Sequence, residues 1–215
     1  MGSDDLASLR TDYSTLGLDE SAAGSDPVAL FGRWLDEAVA SGLHEPNAMA
    51  LATATPDGRP SVRLVLLKGF DRRGFVFYTH DGSRKGRELA ANPEAALVFP
   101  WHPLSRQVRA EGEVHRVDAA ESDAYFASRP RGSQLGAWAS PQSSVVADRA
   151  ELDDAYEREI RRYRADEPVP RPPRWGGYRL QPRMIEFWVG RASRMHDRVR
   201  FTRAGDAWTR DRLAP

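Results

Sequence analysis

The chain has 215 residues, enough for one large domain or two small ones, and 40% are apolar and 29% charged, as in an ordinary soluble globular protein. Its 31 acidic and 31 basic side chains cancel, so no overall electrostatic field attracts it to nucleic acid or to an anionic membrane. The chain has no cysteine, which excludes disulfides, thiolate metal sites and a thiol nucleophile, and fits a cytoplasmic protein.

The first 25 residues are rich in Ser, Asp, Gly and Ala and show no hydrophobic periodicity. We therefore expect residues 1–25 to form a mobile N-terminal arm, and residues 26–215 to form a single domain. The domain should begin with a helix, because Asp26 is a good N-cap and Pro27 suits the first helical position. Apolar residues then recur at helical spacing until Gly42, so this helix is expected to be packed and amphipathic.

The pattern then changes to short β-like runs separated by turn residues, including AMALATAT, SVRLVLLK and FVFYT, which favour two hairpins. Ser83 is expected to open a short helix that runs to about Ala91. Further strands are expected in AALVFPW and in LSRQVRAEGEVHRV. Asp118 with Glu121 resembles a capping box and predicts another helix, which Pro130 should end.

The rest of the chain is expected to contain a charged helix in DRAELDDAYEREIRRYRA and a proline-rich loop in EPVPRPPRWGG. Four strand candidates follow: YRLQP, RMIEFWV, RVRFTR and AWTRDR. Many antiparallel strands with a few intervening helices predict an α+β domain built around a barrel or a strongly curved sheet.

The distribution of lysine indicates a first functional region. Only two basic residues are lysines, Lys68 and Lys85, and both lie between Arg63 and Arg87. A compact ammonium is not equivalent to a guanidinium fork, so this placement suggests a site that needs a point charge, although chance is the alternative. Ser83, Arg84 and Lys85 also stand at a predicted helix start, where free backbone N–H groups favour an anion. We infer a phosphate site there.

A second region is YFASRPRGSQLGAWASPQSS, where Tyr125 and Arg129 stand four residues apart at a helix end. Two donors so placed suit a phosphate, although a polar connector with its arginines in water is an alternative. In a third region Arg194, His196 and Arg198 alternate, so a strand would put them on one face around an anion. The alternative is an exposed strand edge protected by charge.

Two further residues are ambiguous from pattern alone. Trp188 lies on an alternating apolar strand and fits a core position as well as a ligand platform, and Gln107 lies between arginines within a strand. The five histidines show no paired metal-ligand spacing, so no metal site is expected. No apolar run approaches the length of a membrane span, and no nucleic-acid or membrane partner is expected.

Seven segments, taken in order, resemble those of the pyridoxamine 5′-phosphate oxidase family. They are RLVLLKG, FYTHDGSRKGREL, SRQVRAEGEV, YFASRPRGSQLGAWASPQSS, PRPPRWGGYRL, IEFWVGRASRMHDR and the terminal RLAP. The resemblance runs from about Arg10 to Pro215 and implies a mostly antiparallel FMN-binding split β-barrel of the α+β class, with flanking helices. It also implies a homodimer with two FMN sites at the subunit interface. The implied reaction is oxidation of pyridoxamine or pyridoxine 5′-phosphate by O₂ to pyridoxal 5′-phosphate, with release of H₂O₂ and, from the amine, ammonia.

The resemblance also implies roles for individual residues. Arg63, Arg84 and Lys85 suit the FMN phosphate, and part of the flavin set, including Gln142 and Ser143, is expected to reach across the dimer. The residues that match the FMN contacts are Arg63, Leu64, Val65, Leu66, Leu67, Lys68, Tyr78, Thr79, Arg84, Lys85, Gln107, Gln142, Ser143, Trp188 and Arg198. Those that match the substrate contacts are Lys68, Tyr125, Arg129 and Ser133, the ring-holding pair Arg194 and His196, and Arg10 and Tyr13 in the arm.

The sequence departs from the family pattern at His80 and Asp81, in the turn after Thr79, and at Pro100 within a strand. These departures affect local loop shape rather than the chemistry. Two other functions stay open. A flavin or deazaflavin reductase could use the same barrel, although it should lack the two substrate clusters. A non-catalytic pyridoxal-phosphate carrier need bind no flavin.

Overall fold

The structure is a computed structural model that describes Tyr13 and residues 17–215. The helices of this part are α1 Glu20–Ala23, α2 Pro27–Ala40, α3 Arg84–Ala91, α4 Ala119–Ser128, α5 Arg131–Ala139 and α6 Arg149–Arg162. The strands are β1 Ala48–Ala54, β2 Pro60–Leu66, β3 Gly69–Asp71, β4 Gly74–His80, β5 Glu94–Trp101, β6 Arg106–Arg116, β7 Trp175–Val189, β8 Asp197–Ala204 and β9 Ala207–Leu213. Short 3₁₀ turns cover His102–Leu104 and Ala192–Arg194.

The strands form one sheet in the order β2-β1-β5-β6-β7-β4-β3, with β8 paired to β7 and β9 paired to β8. The pairs β3–β4, β4–β7, β7–β8 and β8–β9 are all antiparallel. The nine strands and six helices of the described residues are the α+β composition that the sequence predicts. None of the helices in the described part of the chain has the length and apolarity to span a lipid bilayer.

The chain divides into two compact units. The first contains the described residues up to Met49, Leu97–Glu111 and Pro182–Pro215, and the second contains Ala50–Ala96 and Gly112–Gln181. The expected single domain over residues 26–215 and the mobility of residues 1–25 stay predictions. Residues 20–23 of the expected arm form the short helix α1, whose N-cap Asp19 accepts the N–H of Ala22 at 2.7 Å.

The first unit has an aromatic core that α2 builds. Phe31 lies 4.9 Å from Phe99, and Trp34 meets Phe187 edge to face at 5.1 Å, measured between ring centroids. Phe187 in turn contacts Phe201 of β8. Such aromatic pairs contribute beyond the area they bury, so they stabilise the packing of α2, β8 and the C-terminal part of β7 in this unit.

The core of the second unit is formed by β4, β7 and the helices α4 and α5. Phe77 stacks on Tyr178 across the β4–β7 pair, where the register places Tyr78 opposite Gly177. A neighbouring cluster contains the buried residues Phe126, Leu135, Val169 and Trp175. This cluster fixes the ends of α4 and α5, where the predicted substrate residues lie.

Most of the predicted elements are confirmed, with four corrections. The second of the two expected hairpins is wrong, because FVFYT in β4 pairs with β3 and β7, whereas SVRLVLLK in β2 pairs with β1. The four expected tail strands are three, because YRLQP and RMIEFWV form one strand, β7. Pro182 is tolerated there because it lies between the residues paired with β4, which end at Leu180, and those paired with β8, which begin at Met184. Helix α5 was not predicted, and it begins directly after Pro130. The expected strand placement of Arg194 and His196 is also wrong, as described below.

Candidate active site

A cavity of about 470 Å³ lies in the second unit. Strands β2 and β4, helix α3 and the segment that joins α4 to α5 all contribute side chains to it. Eleven of the predicted site residues line this cavity: Leu64, Val65, Leu66, Lys68, Tyr78, Thr79, Lys85, Tyr125, Arg129, Ser133 and Gln142. The first and last of these residues, Leu64 and Gln142, are 78 positions apart in the sequence, so the fold brings distant segments together at the cavity.

Lys85 is the buried cation of the cavity. Its Nζ donates to Thr79 Oγ1 at 3.0 Å, to Gln142 Oε1 at 3.1 Å and to Ser83 Oγ at 3.3 Å. Burial, together with the charge of Arg63, lowers the pKa of Lys85 to about 8. Among the described residues its acceptors are all neutral oxygens, so the ammonium is suited to bind an added anion.

Gln142 lies beside Lys85 and Thr79 of its own chain, and its Oε1 also accepts from Thr79 Oγ1 at 2.9 Å. We expected this amide to reach the flavin of the partner subunit. Its contacts place it in the cavity that its own chain forms, and its reach to the partner's flavin stays a prediction.

Glu88 is a site residue that the sequence analysis missed. Its buried carboxylate accepts from Thr53 Oγ1 and Ser61 Oγ, both at 2.5 Å, and forms ion pairs with Arg63 at 3.4 Å and Arg84 at 2.8 Å. Burial alone would raise the pKa of Glu88, but the hydrogen bonds from Ser61 and Thr53 and the Arg84 guanidinium outweigh it and hold the pKa at about 2. The carboxylate fixes both predicted phosphate-binding arginines. The four-residue spacing of Arg84 and Glu88 was the available signal.

Three aromatic rings form one wall of the cavity. Tyr78 stacks on Tyr125 with 3.9 Å between ring centroids, and Trp175 stacks on Tyr78 at 5.3 Å. Burial raises the pKa of Tyr78 to about 12, so its hydroxyl keeps its proton at neutral pH and can donate a hydrogen bond. The wall gives the cavity a flat apolar face beside its cations.

Arg129 presents the clearest unfilled donor. Its guanidinium carbon lies 4.8 Å from the Trp175 ring centroid and 5.6 Å from that of Phe126. Its Nη1 is buried and has no hydrogen-bond partner among the residues that the structure describes. Burial lowers the pKa of Arg129, which reflects the cost of holding this charge out of water. A buried donor without an acceptor carries an unfavourable desolvation free energy, so this N–H group is suited to donate to a bound anion.

Lys68 and Ser133 also line this cavity. Lys68 is exposed, and its ammonium has no hydrogen-bond or ion-pair partner among the described residues. Ser133 belongs to the first turn of α5, where its N–H bonds to the Pro130 carbonyl at 2.8 Å. These two residues and Arg129 supply two cations and a hydroxyl to one cavity, which fits a phosphate.

The first unit contains a second group of predicted residues. Trp188, His196 and Tyr13 form an aromatic cluster, in which His196 lies 4.7 Å from Trp188 and 5.6 Å from Tyr13 between ring centroids. His196 Nδ1 accepts the N–H of Arg191 at 3.1 Å. A neutral His196 therefore carries its proton on Nε2, which remains a hydrogen-bond donor.

The predicted strand face of Arg194, His196 and Arg198 does not exist. β8 begins at Asp197, and Arg194 ends a 3₁₀ turn with φ at 63° after Ser193 at 56°. The left-handed backbone breaks the alternation that a strand requires. The guanidinium of Arg194 is exposed and has no partner among the described residues, so it is available to a ligand.

Arg198 belongs to a buried ion-pair network. Its Nε donates to Glu186 at 2.7 Å, and Arg109 pairs with the same carboxylate at 2.7 Å. Arg198 also donates to the Ala214 carbonyl at 3.0 Å. Burial raises the pKa of Glu186, but hydrogen bonds from Arg198 and Arg109 outweigh it, so the net shift is downward and the carboxylate stays ionised.

The remaining predicted residues are less informative. Leu67 is buried, Gln107 is half-buried in β6, and Ser143 is exposed with φ at 69°. Arg10 lies outside the described residues. Roles for these four stay predictions.

Family profiles match most of the chain. A profile described as pyridoxamine 5′-phosphate oxidase matches residues 35–161, and one described as the pyridoxine 5′-phosphate oxidase C-terminal dimerisation region matches residues 175–215. The chain is 60% identical over 211 residues to the pyridoxine/pyridoxamine 5′-phosphate oxidase of Rubrobacter xylanophilus, covering 98% of this chain and 97% of the relative. It is 56% identical to the enzyme of that name from Burkholderia lata, covering 98% and 99%.

Solved structures show the same fold. PhzG from Burkholderia lata 383, in complex with tetrahydrophenazine-1-carboxylic acid, superposes with a TM-score of 0.87 at 35% identity, covering 94% of this chain and all of that one. A pyridoxamine 5′-phosphate oxidase-related, FMN-binding protein from Nostoc punctiforme superposes with a TM-score of 0.72 at 18% identity, covering 89% and 100%. These matches and the strand order confirm the predicted split-barrel fold class.

Proposed function

The chain belongs to the pyridoxamine 5′-phosphate oxidase family, and from this premise we propose that it binds FMN and oxidises pyridoxine and pyridoxamine 5′-phosphate to pyridoxal 5′-phosphate. The observation that carries this proposal is Arg129, whose buried, unpartnered Nη1 shares one cavity with Lys68 and Ser133. Such a donor set suits the phosphate that both substrates carry.

A second group of cations fits the phosphate of FMN, with Lys85 lining the cavity and Arg63 and Arg84 beside it. Lys85 is buried at the start of α3, and Glu88 fixes Arg63 and Arg84 close by. A helix start with three cationic side chains suits a phosphate dianion. The second unit therefore offers Lys85, Arg63 and Arg84 to the cofactor and Lys68 and Arg129 to the substrate. The stacked rings of Tyr78, Tyr125 and Trp175 add an apolar wall to the cavity.

In the proposed reaction FMN, held by Arg63, Arg84 and Lys85, would supply the acceptor for the hydride equivalent from the C4′ carbon of the substrate, with O₂ as the final electron acceptor and H₂O₂ as its product. The protein's own residues bind and orient. Arg129, Lys68 and Ser133 hold the substrate phosphate, while Arg194 and the Nε2–H of His196 hold the pyridine ring. Fixing both ends of a small substrate limits its motion, which is where such an enzyme gains most of its rate.

We further propose a homodimer, which the match of residues 175–215 to a dimerisation region supports. Val62 and Leu64 on β2 are 69% and 70% exposed, and Leu64 also lines the cavity. Exposed apolar side chains next to a ligand site are typical of a surface that a partner covers.

The dimer leads to a testable result. Size-exclusion chromatography with light scattering should give twice the mass of the 24.0 kDa chain. Replacing Leu64 with Glu should weaken both association and flavin retention, because a charge would be buried at the interface. Replacing the exposed Val145 in the same way is the control. A flavin-loaded wild-type monomer would contradict the proposal.

The cofactor itself can be identified directly. We expect the purified protein to be yellow and to release FMN, because the cluster of Arg63, Arg84 and Lys85 suits a terminal phosphate better than the bridging pyrophosphate of FAD. Mass spectrometry of the released compound decides this. Recovery of FAD or a deazaflavin would refute the assignment, and a protein that retains pyridoxal phosphate but no flavin would favour a carrier.

The depressed pKa of Lys85 predicts that FMN binding depends on pH. Without ligand, Lys85 loses its proton as the pH rises through about 8, whereas the phosphate of FMN favours the charged form. Binding above this pH must take up a proton, so FMN affinity should fall by up to about tenfold per pH unit between pH 8 and the raised pKa of the complex. Fluorescence titrations from pH 7 to 9.5 measure this slope. Lys85→Met should bind weakly and without the slope, and an unchanged wild-type affinity at pH 9.5 would contradict the prediction.

Action on a tetrahydrophenazine carboxylic acid, the kind of ligand bound in the PhzG structure, is the second candidate, since that protein shares the fold. Identity separates the two within one bacterial strain: the chain is 56% identical to the pyridoxine/pyridoxamine 5′-phosphate oxidase of Burkholderia lata 383 and 35% identical to its PhzG. The phosphate-suited group around Arg129 also favours a phosphorylated substrate.

A further inference from the structure

We propose that His80, one of the residues at which this chain departs from the family pattern, is a positioning residue for the cofactor's phosphate site. It acts through the turn formed by residues 80–83, which joins β4 to α3. The inference rests on the proposed binding of FMN and adds a role that the resemblance does not supply.

The imidazole of His80 is built into this turn. Its Nδ1 accepts the N–H of Gly82 at 3.0 Å, and its carbonyl accepts the N–H of Ser83, also at 3.0 Å. An acceptor Nδ1 carries no proton, so His80 is neutral with its proton on Nε2. The ring takes the part that an Asn or Asp side chain plays in an Asx turn, where the side chain accepts an N–H two residues later.

The electrostatic surroundings keep the ring in that state. Burial lowers the pKa of His80, Arg174 and Lys85 lower it further, and only Asp81 opposes them. Nδ1 therefore stays unprotonated near pH 7 and remains an acceptor for Gly82.

The rest of the turn is held from outside by other groups. The N–H of Asp81 bonds to the Arg174 carbonyl at 2.7 Å, and the Asp81 carboxylate accepts from Tyr178 at 2.9 Å and Arg116 at 2.5 Å. Gly86 permits close approach, because a Cβ there would lie 2.3 Å from the Asp81 carbonyl oxygen. With these contacts in place, the Gly82 N–H is the donor that depends on His80.

The turn matters because it separates the two hydroxyls that hold Lys85. Thr79 precedes His80 and Ser83 ends the turn, and both accept hydrogen bonds from Lys85 Nζ. Ser83 also caps α3, its Oγ accepting the N–H of Gly86 at 3.2 Å. A change in the turn would move the cap and the ammonium together, and both belong to the proposed FMN phosphate site.

The test compares variants that keep or remove the acceptor. His80→Phe keeps a ring of similar size without an acceptor, and His80→Asn restores an acceptor in Asx-turn geometry. His115→Phe, at an exposed histidine of β6, is the control. Diluting each flavin-loaded full-length protein and measuring the fluorescence of released FMN gives its dissociation constant.

We expect His80→Phe to weaken FMN binding roughly 3- to 10-fold, the effect of one lost hydrogen bond. His80→Asn should lie within about twofold of wild type, as should His115→Phe. The KM for pyridoxine 5′-phosphate should stay unchanged in the Phe variant when FMN is saturating. A general loss of structure would instead weaken the binding of both FMN and the substrate. If His80→Phe does not fold, His80→Ala replaces it in the same comparison.

Equal FMN affinity in wild type and His80→Phe would overturn the role of His80 while leaving the proposed function intact. An Asn variant as weak as the Phe variant would also overturn it, since the acceptor would then not be what matters. A wild-type protein that binds no FMN would instead refute the proposed function, and with it any role of His80 in that function.

Discussion

Replacing Arg129 with alanine is expected to raise the KM for pyridoxine 5′-phosphate by roughly 10- to 150-fold, with little change in kcat. The guanidinium is held over Trp175 and Phe126 with a buried Nη1 that lacks a partner, so the substrate phosphate would provide its missing acceptor. Loss of one charged hydrogen bond costs about 1.5 to 3 kcal/mol. The phosphate is remote from the reacting carbon and is bound alike in the ground and transition states, so the loss should appear in KM.

Steady-state kinetics on the flavin-loaded variant measures this effect. Arg161→Ala is the matched control. That guanidinium is exposed on α6, and its one ion pair, to Glu157 at 3.9 Å, lies at the surface and contributes little. FMN should remain bound in both variants. A low kcat in Arg129→Ala at saturating substrate, with KM unchanged, would show that Arg129 aligns the reacting carbon.

Replacing His196 or Arg194 with alanine should have the opposite signature, lowering kcat on the order of 100-fold. Nδ1 of His196 accepts the N–H of Arg191, so a neutral ring carries its proton on Nε2, and this donor has no acceptor within the described part of the chain. The Arg194 guanidinium is exposed on its turn. We propose that the two hold the pyridine ring, and a small misplacement of the ring would move C4′ away from the flavin. Anaerobic single-turnover measurements of flavin bleaching report this step without interference from O₂.

His44→Ala is the control for this pair, because its imidazole is 96% exposed and its nearest acid, Glu45, is 3.8 Å away. FMN should be retained in all three variants. If His196→Ala bleaches its flavin at the wild-type rate while Arg129→Ala is slow at saturation, the proposed roles of the two groups are reversed.

Local signals predicted the helices and their starts well. Asp26, Ser83, Asp118 and Asp148 each precede a helix, and each side chain accepts backbone N–H groups of the first turn. Each cap bonds to a residue only two or three positions later, so the helix starts can be predicted from the local sequence. Helix α5 was missed because Gly132 and nearby polar residues have weak helix propensity, and its stability comes from packing of Leu135 against the second unit's aromatic cluster.

The site was predicted less fully than the fold. One cavity brings together five residues that were predicted from the sequence: Lys68, Lys85, Tyr125, Arg129 and Ser133. The motifs alone could not show which charges were already paired. Glu88 fixes two of the arginines, and the pairing of Arg198 with Glu186 likewise depends on contacts across a strand pair.

The turn before β8 shows why pattern alone misplaced one cluster. Alternation of Arg194, His196 and Arg198 is typical of a strand, but Ser193 and Arg194 adopt left-handed backbone angles. Neither residue type favours that conformation, so the sequence contains no local signal for it. The observed turn leaves Arg194 exposed and orients His196 through a backbone N–H, which still supports the proposed role.

The most direct test of the proposed function is turnover by the purified flavin-loaded protein in air. Pyridoxine 5′-phosphate, pyridoxamine 5′-phosphate and a tetrahydrophenazine carboxylic acid are each supplied, and pyridoxal 5′-phosphate, ammonia and H₂O₂ are measured. We expect equimolar pyridoxal 5′-phosphate and H₂O₂ from both phosphorylated substrates, with ammonia from the amine alone. A flavin-loaded protein that forms no pyridoxal 5′-phosphate from either of them, or that oxidises only the tetrahydrophenazine, would contradict the account.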